Sequence, residues 1–555
     1  MNLSKLFLVA SAARGLASAQ IANTIVMTPV KADISPDLVS MMLTQPAVPM
    51  EAPSVVIQKH GPLIGDTDEA GPPRATAVAP FLQDSTIVAP ALSATPGANF
   101  EGLGTGLAGF VMTGAPPDET IAVGPNHVVQ WVNSMFAIFN KAGGVVAGPT
   151  NGNAIFNGFG GLCETTNRGD PLVVYDQAAD RWVFSQFAFA VSGGDPATPY
   201  LQCFAVSTTS NPAGPYARYA YQFSAVSPSG FNDYGKIGVW PNAYYTSYNI
   251  FGGTPAGAIT GVALCANDRA KMIVADLTAT MLCAPVAFYG GGAGFLPADQ
   301  EGATTPPAAS AAGVFARYSF AGVSLRLMRL APNFGAGTVT LTNGQGGATG
   351  TFIDIPVGPL TVACNGAANS CVPQPGTANR LDTIADRLMY RLGYRNRGGQ
   401  ESLIVNISVD PDGAGTQGSA VRWFEVRNAL AAVPQLYQNA TFNPNTTNRW
   451  MASLGMDKNG NIAMGYSVSD ATTAPGIRIT GRLRSDVRNR MQTESIIFNG
   501  LGSQTGTLDR WGDYSTMRVD PSDDCTFWYT NEYLPANGTF NWRTRIASFK
   551  FPNCQ

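Results

Sequence analysis

Acidic residues stand just ahead of several short apolar runs in this chain. Asp118 and Glu119 precede Thr-Ile-Ala-Val, Asp170 precedes Pro-Leu-Val-Val, Asp233 lies ahead of Lys236, Asp386 ahead of Leu388, and Asp513 before Tyr514. Basic residues occupy neighbouring positions, Lys236, Arg387, Arg449 and Arg510, and aromatic rings lie beside them, Tyr234, Trp450, Trp511 and Tyr514. Two carboxyl groups at a suitable separation are the minimum for hydrolysing a glycosidic bond. The same set could instead hold a sugar, with rings on its apolar face and charged groups on its hydroxyls or a carboxylate. The plainer alternative is that each acid caps a turn and pairs with an adjacent arginine. Repetition of one residue type at equivalent places favours that alternative, because a catalytic centre is seldom built symmetrically. An oxygen-rich set of this kind can also take up Ca²⁺, although no EF-hand spacing is present and no other cofactor is implied.

Other chemistries are excluded by what the chain lacks. Only two histidines occur, His60 and His127, so a Ser-His-Asp triad would have to rest on one of them. There is no HExxH, no GxSxG and no phosphate-binding loop. The eight cysteines contain no CxxC and are too dispersed for a zinc site. Pairing of sequence neighbours is the simplest arrangement: Cys163–Cys203, Cys265–Cys283, Cys364–Cys371 and Cys525–Cys554. Bridged in this way, they leave no thiol nucleophile.

The elements that must position these residues are hairpins. A short strand, a tight turn and a second strand rich in aromatic or β-branched residues recur along the chain. Turns such as Gly124-Pro-Asn126, Trp240-Pro-Asn242 and Asp457-Lys-Asn-Gly460 carry Pro, which presets φ, and Asn or Gly, which tolerate positive φ. They fall near residues 125, 178, 241, 458 and 522, with weaker copies expected at 325–333 and 388–399. The unit from 451 to 498 reads as four strands, which is one blade of a β-propeller. The last unit, from 514 to 551, has only three, and a strand within 100–112 would supply the fourth and close the ring. The expectation is an all-β fold, a single propeller of seven four-stranded blades; a β-sandwich is the main rival.

Composition agrees. The 555 residues are 45% hydrophobic and 13% charged, with 61 Gly and 39 Pro, as expected for many short strands and turns. A net charge of −3 without a basic run gives no footprint for nucleic acid. Residues 1–19 read as a secretory signal, with Lys5, an apolar run and Ala17-Ser18-Ala19 before Gln20. No later run reaches the ~18 apolar residues of a membrane helix. Residues 20–95, rich in Pro and Ala, read as a mostly disordered linker, and 96–555 as the propeller. A secreted, extracellular or periplasmic monomer is expected.

Three groups of motifs carry a resemblance. They are Pro116-Pro-Asp118 with Val123-Gly-Pro-Asn-His127, Gly169-Asp-Pro-Leu-Val-Val-Tyr-Asp176 with Asp180-Arg-Trp182, and Arg510-Trp-Gly-Asp-Tyr-Ser515 with Asp523-Asp-Cys-Thr-Phe-Trp-Tyr-Thr530. Together they resemble a largely uncharacterised family of secreted bacterial β-propeller proteins. The resemblance implies the fold and export and brings no activity or catalytic residue with it. The Asp-box of sialidases, Ser-x-Asp-x-Gly-x-x-Trp, is not matched. The function expected is a glycan- or protein-binding module at the cell surface or outside the cell. The alternative is an exported glycoside hydrolase or polysaccharide lyase using the acids and arginines at an axial cleft.

Overall fold

The computed structural model describes residues 24–44, 54–55, 82–83, 88–192, 195–223, 230–252, 259–286, 294–302, 307–320, 323–342, 352–365, 370–412 and 418–555. Residues 1–19, where a secretory signal is expected, and His60 lie outside them.

The chain is all-β, and its sheets follow one plan. Sheet A contains Thr120–Val123, His127–Val132, Met135–Asn140 and Val145–Asn151, paired antiparallel in chain order. Sheet B runs Leu172–Asp176, Arg181–Ser192, Asp195–Ser207 and Tyr216–Gln222; sheet C runs Gly230–Val239, Tyr244–Gly252, Ile259–Asn267 and Met281–Val286. Sheet D holds Leu296–Gln300, Gly313–Ser319, Ser324–Asn333 and Thr338–Thr342. Sheet E holds Met389–Arg397, Gln400–Val409, Ala420–Arg427 and Gln435–Phe442, and sheet F holds Asn448–Met456, Ile462–Ser469, Gly476–Arg482 and Ser495–Phe498. Sheet G comprises Thr516–Val519, Phe527–Tyr533 and Arg543–Lys550, with Thr95–Gly104 as its fourth strand. The first strand of each sheet packs beside the first strand of the next, and that of G packs beside that of A. Between D and E the contact is a parallel ladder, Ala298 opposite Leu392. This is the strand pattern of propeller blades.

Turn chemistry sets the hairpins. The Gly124 N–H donates to the His127 carbonyl at 3.0 Å, and the Trp240 N–H to that of Ala243 at 3.2 Å. In the turn of sheet F the Asp457 carboxylate accepts from the N–H groups of Asn459 and Asn461, both at 2.9 Å. Between sheets the core is aromatic: Trp131, Phe136 and Phe184 meet with ring centroids 5.3 to 5.8 Å apart across A and B. All four disulfides join sequence neighbours: Cys163–Cys203, Cys265–Cys283, Cys364–Cys371 and Cys525–Cys554.

Two expectations are corrected. The repeat placed at 325–333 is the third strand of sheet D; the first is Leu296–Gln300. It went unseen because no tight turn follows it. Nor is the linker expectation right for 24–44. Lys31–Ile34 pairs with Tyr216–Gln222 as a fifth strand of sheet B, and Ile25–Met27 with Met281–Val286 as a fifth strand of sheet C. The helix Leu38–Thr44 buries Leu38 and Met41, and Arg218 grips Asp33 at 2.7 Å through two nitrogens. A segment with little periodicity of its own gains structure here because a blade's outer edge offers unpaired N–H and C=O groups.

Candidate functional site: a buried charged cluster at the strand entrances

Ahead of the first strand of each sheet or within its first half, one residue has a left-handed backbone: Asp118, Asp170, Tyr234, Gly294, Ile384, Met451 and Asp513, with φ between 44° and 79°. For a residue other than Gly this conformation costs about 1–2 kcal/mol. The kink turns the incoming connection into the strand, and its repetition gathers the entrance side chains at one end of the first strands.

Sheets A, B, C, E and G meet there. The Lys236 ammonium lies 3.4 Å from the ring centroid of Tyr234 and 4.3 Å from that of Tyr514, and donates to the Gly235 carbonyl at 2.9 Å. The Arg387 guanidinium is 4.5 Å from the Tyr234 centroid and pairs with Asp386 at 2.8 Å. Arg510 pairs with Asp513 and approaches Asp382 at 3.5 Å. The Tyr514 hydroxyl donates to the Pro171 carbonyl at 3.2 Å and the Tyr234 hydroxyl to that of Asp513 at 3.4 Å. Asp118 accepts from Asn133 Nδ2 at 2.9 Å, and its N–H donates to the Gly512 carbonyl.

Burial dominates the electrostatics. It pushes the Asp170 carboxyl up to about 8, with Asp233 and Asp513 adding to the effect and Lys236 and Arg510 opposing it. It raises Asp118 well above the usual carboxylate range, reinforced by Asp513 and Asp170. Burial also lowers the Lys236 amine to about 8, against the pull of Asp170, Asp513 and Asp233. Asp382 is raised to about 8 for the same reason. The cluster therefore holds protons near neutral pH that free carboxyls would have lost.

A second buried network joins the first strands of several sheets. Asp299 of sheet D accepts from Arg391 of sheet E at 2.8 Å and from Arg518 of sheet G. Arg518 also donates to the Ile121 carbonyl of sheet A at 3.2 Å and to the Tyr390 hydroxyl at 2.9 Å. Glu301 takes Arg391 and the Met456 N–H of sheet F. Sequence reasoning missed this network, because nothing in the spacing of residues 299, 391 and 518 links them. It also passed over Glu532, which lies near Glu119; both carboxyls are fully buried and raised by burial.

Of the residues singled out by sequence, Asp118, Asp170, Asp233, Asp386, Asp513, Arg387, Arg510, Tyr234 and Tyr514 come together, most of them buried. Asp118 is 1% exposed, Asp233 4% and Asp386 4%, whereas Asp170 is only half-buried. The expected roles of three others are corrected. Trp450 and Trp511 are fully buried with centroids 6.0 Å apart, and Trp511 donates to Ser467 Oγ at 3.0 Å, so neither ring can stack on a ligand. Arg449 is held by Glu494 at 2.8 Å within sheet F and takes no part in the cluster. Among the described residues, no group of three or more His, Cys, Asp or Glu side chains is placed to hold a metal ion. Among them, too, no helix is long and apolar enough to cross a membrane.

No protein-family model matches the chain, and no curated protein matches it significantly. Among solved structures it is similar to a protein of unknown function from Dyadobacter fermentans, at 9% identity and a TM-score of 0.34, covering 83% of this chain and 99% of that one. It is also similar to an endosialidase of phage phi92, at 8% identity and a TM-score of 0.36, covering 83% of this chain and 69% of that one. The Dos1 propeller gives 7% identity and a TM-score of 0.35, with 82% of this chain and 95% of that one covered.

Proposed function

We propose that the chain is an exported, monomeric, closed seven-bladed propeller in which Thr95–Gly104 completes the last blade, and that it serves as a binding module for a glycan or protein. It would act without a cofactor, Ca²⁺ being the one ion its acids could take up. The observation that carries it is the burial of the axial acids. A glycosidase needs two carboxyl groups flanking a bond of its substrate. Here Asp118, Asp233 and Asp386 are sealed beneath the entrance and engaged with neighbouring groups. Such a set braces one blade against the next and leaves ligand contact to the surface around it. The four disulfides support export, since bridges persist in oxidising compartments.

A second reading, an exported glycoside hydrolase, is favoured by one feature. Asp170 is the least buried of the entrance acids, and burial raises its carboxyl to about 8, in the range of a general acid. A glycan array run beside a panel of chromogenic glycosides separates the two. Binding without turnover is expected; turnover that disappears in Asp170→Asn would establish the enzyme and overturn the binding module.

A further inference from the structure

At the opposite end of the first strands, the turns of sheets E and F enclose an open polar basin of about 500 Å³, lined by Arg397, Lys458, Asn459, Arg484, Ser485 and Asn553. That volume falls within the roughly 300–1,000 Å³ of small-molecule sites. Three of its six lining side chains are cations, and among the described residues none of the three makes an ion pair. The acids nearby are committed elsewhere. Asp524 is held by two nitrogens of Arg395 at 2.6 and 2.8 Å, and Glu425 is paired with Arg427 at 3.0 Å. Asp457 accepts from the Asn459 and Asn461 backbone and from Asn461 Nδ2, while Asp486 accepts from the Leu483 N–H and Gln492. Among the described residues, the three cations of the lining therefore have no carboxylate in direct contact, although Glu425 lies close enough to act on Arg397.

The basin is also built to hold its shape. Arg397 is fixed by Gln400 at 2.6 Å and lies flat on the turn at Gly460. A Cβ there would come within 2.7–2.9 Å of the guanidinium, at a φ of 85° that already favours Gly. Arg397 Nε is buried without a hydrogen-bond partner. Asn459 and Asn461 tie the rim to Asn553 at 2.7 and 2.8 Å, and the Arg484 N–H donates to Asn461. Burial lowers the Arg397 pKa, and the like charges of Arg484, Arg427 and Arg395 lower it further, with only Glu425 opposing them.

We infer that this basin binds an oxyanion carried on a saccharide, a sulfate ester or a uronate carboxylate. Guanidinium and ammonium groups take the anion, and the Asn and Ser side chains suit the hydroxyls beside it. Nucleic acid fits less well, because the lining has no aromatic ring on which a base could stack. The inference does not depend on the entrance face, which lies at the other end of the first strands.

The test is calorimetric titration of the intact protein with three oligosaccharides of equal length: a sulfated one, its desulfated form and an unsulfated uronate. Binding of the sulfated or the uronate ligand, weakening with salt, is expected, and which of them binds identifies the anion. Arg397→Gln/Lys458→Gln/Arg484→Gln should weaken it about tenfold or more. Lys458→Gln/Arg484→Gln, which leaves the packed Arg397 in place, should weaken it severalfold with thermal unfolding unchanged. Lys271→Gln, which removes a charge outside the basin, should bind as the parent does. Failure of the parent to bind either anionic saccharide, equal binding by the triple variant, or equal affinity for a DNA duplex would each overturn the inference. None of these results bears on neutral glycans at the entrance face, which the array reads separately.

Discussion

Arg518→Met offers the sharpest test of how the sheets are joined at the axis. Its guanidinium reaches Asp299, the Tyr390 hydroxyl and the Ile121 carbonyl, which belong to three other sheets. Removing one member of a buried ion pair costs about 3–5 kcal/mol, because the partner charge is left without compensation. Asp299 keeps Arg391 at 2.8 Å, which moderates the loss. Against that, the Ile121 carbonyl and Tyr390 hydroxyl each lose a donor, worth about 1 kcal/mol apiece. A net cost of about 4 kcal/mol follows. Asp299→Asn should cost a similar amount, and the double variant about 2 kcal/mol less than the sum of the singles, since the unpaired charge is removed with its partner. The assay is urea unfolding at neutral pH followed by tryptophan fluorescence, with the four variants forming a double-mutant cycle. A pH series adds a second readout. Burial pushes the Asp299 carboxyl up, but Arg518 and Arg391 more than offset this and hold it below its ordinary value. Its contribution is therefore present above the ordinary carboxylate pKa and lost as pH falls, and Arg518→Met should unfold at a higher pH on the acid side. A cost for Arg518→Met below about 1 kcal/mol, or additivity within about 0.5 kcal/mol, would refute the reasoning.

Other outcomes follow from the same physics. Asp170, raised to about 8, binds its proton more tightly folded than unfolded, so its contribution is present in acid and lost as pH rises from the ordinary carboxylate range through about 8. Asp170→Asn should flatten that part of the stability–pH curve, and an unchanged slope would count against the assignment. Cys525→Ser/Cys554→Ser opens a 29-residue loop and should lower stability by about 3.6 kcal/mol, measured by denaturant unfolding without reductant. Asp33→Ala leaves the buried Arg218 without its carboxylate and should cost roughly 3 kcal/mol. It should also speed proteolytic cleavage between residues 24 and 44; an unaltered digestion pattern would argue that those strands are held by backbone pairing alone.

Local signals carried most of the architecture. The four strands of sheet F were legible because alternating apolar residues are interrupted by Asp457-Lys-Asn-Gly460, a turn that states its own geometry. The cysteine pairs followed from sequence adjacency. The entrance acids were legible as a set for a different reason: each sits within a few residues of the start of a first strand, and a backbone kink recurs there, at Asp118, Asp170 and Asp513 themselves and close by in the other sheets. What could not be read was the depth to which they sink. Trp450 and Trp511 look like sugar platforms in a sequence and are core side chains in the fold, because burial is decided by neighbouring sheets. The ion pairs around Asp299 and the strands at 25–34 depend on partners about 90 to 260 residues away, and no local pattern announces a long-range partner.

The pairing of Thr95–Gly104 with Arg543–Lys550 has a consequence for how the molecule comes into being. Thr95–Gly104 leaves the ribosome long before the strand it pairs with, and Ile25–Met27 likewise waits for Met281–Val286. Throughout synthesis these extended stretches are adhesive edges without mates, open to capture by other nascent chains. Assembly at so large a sequence separation is slow.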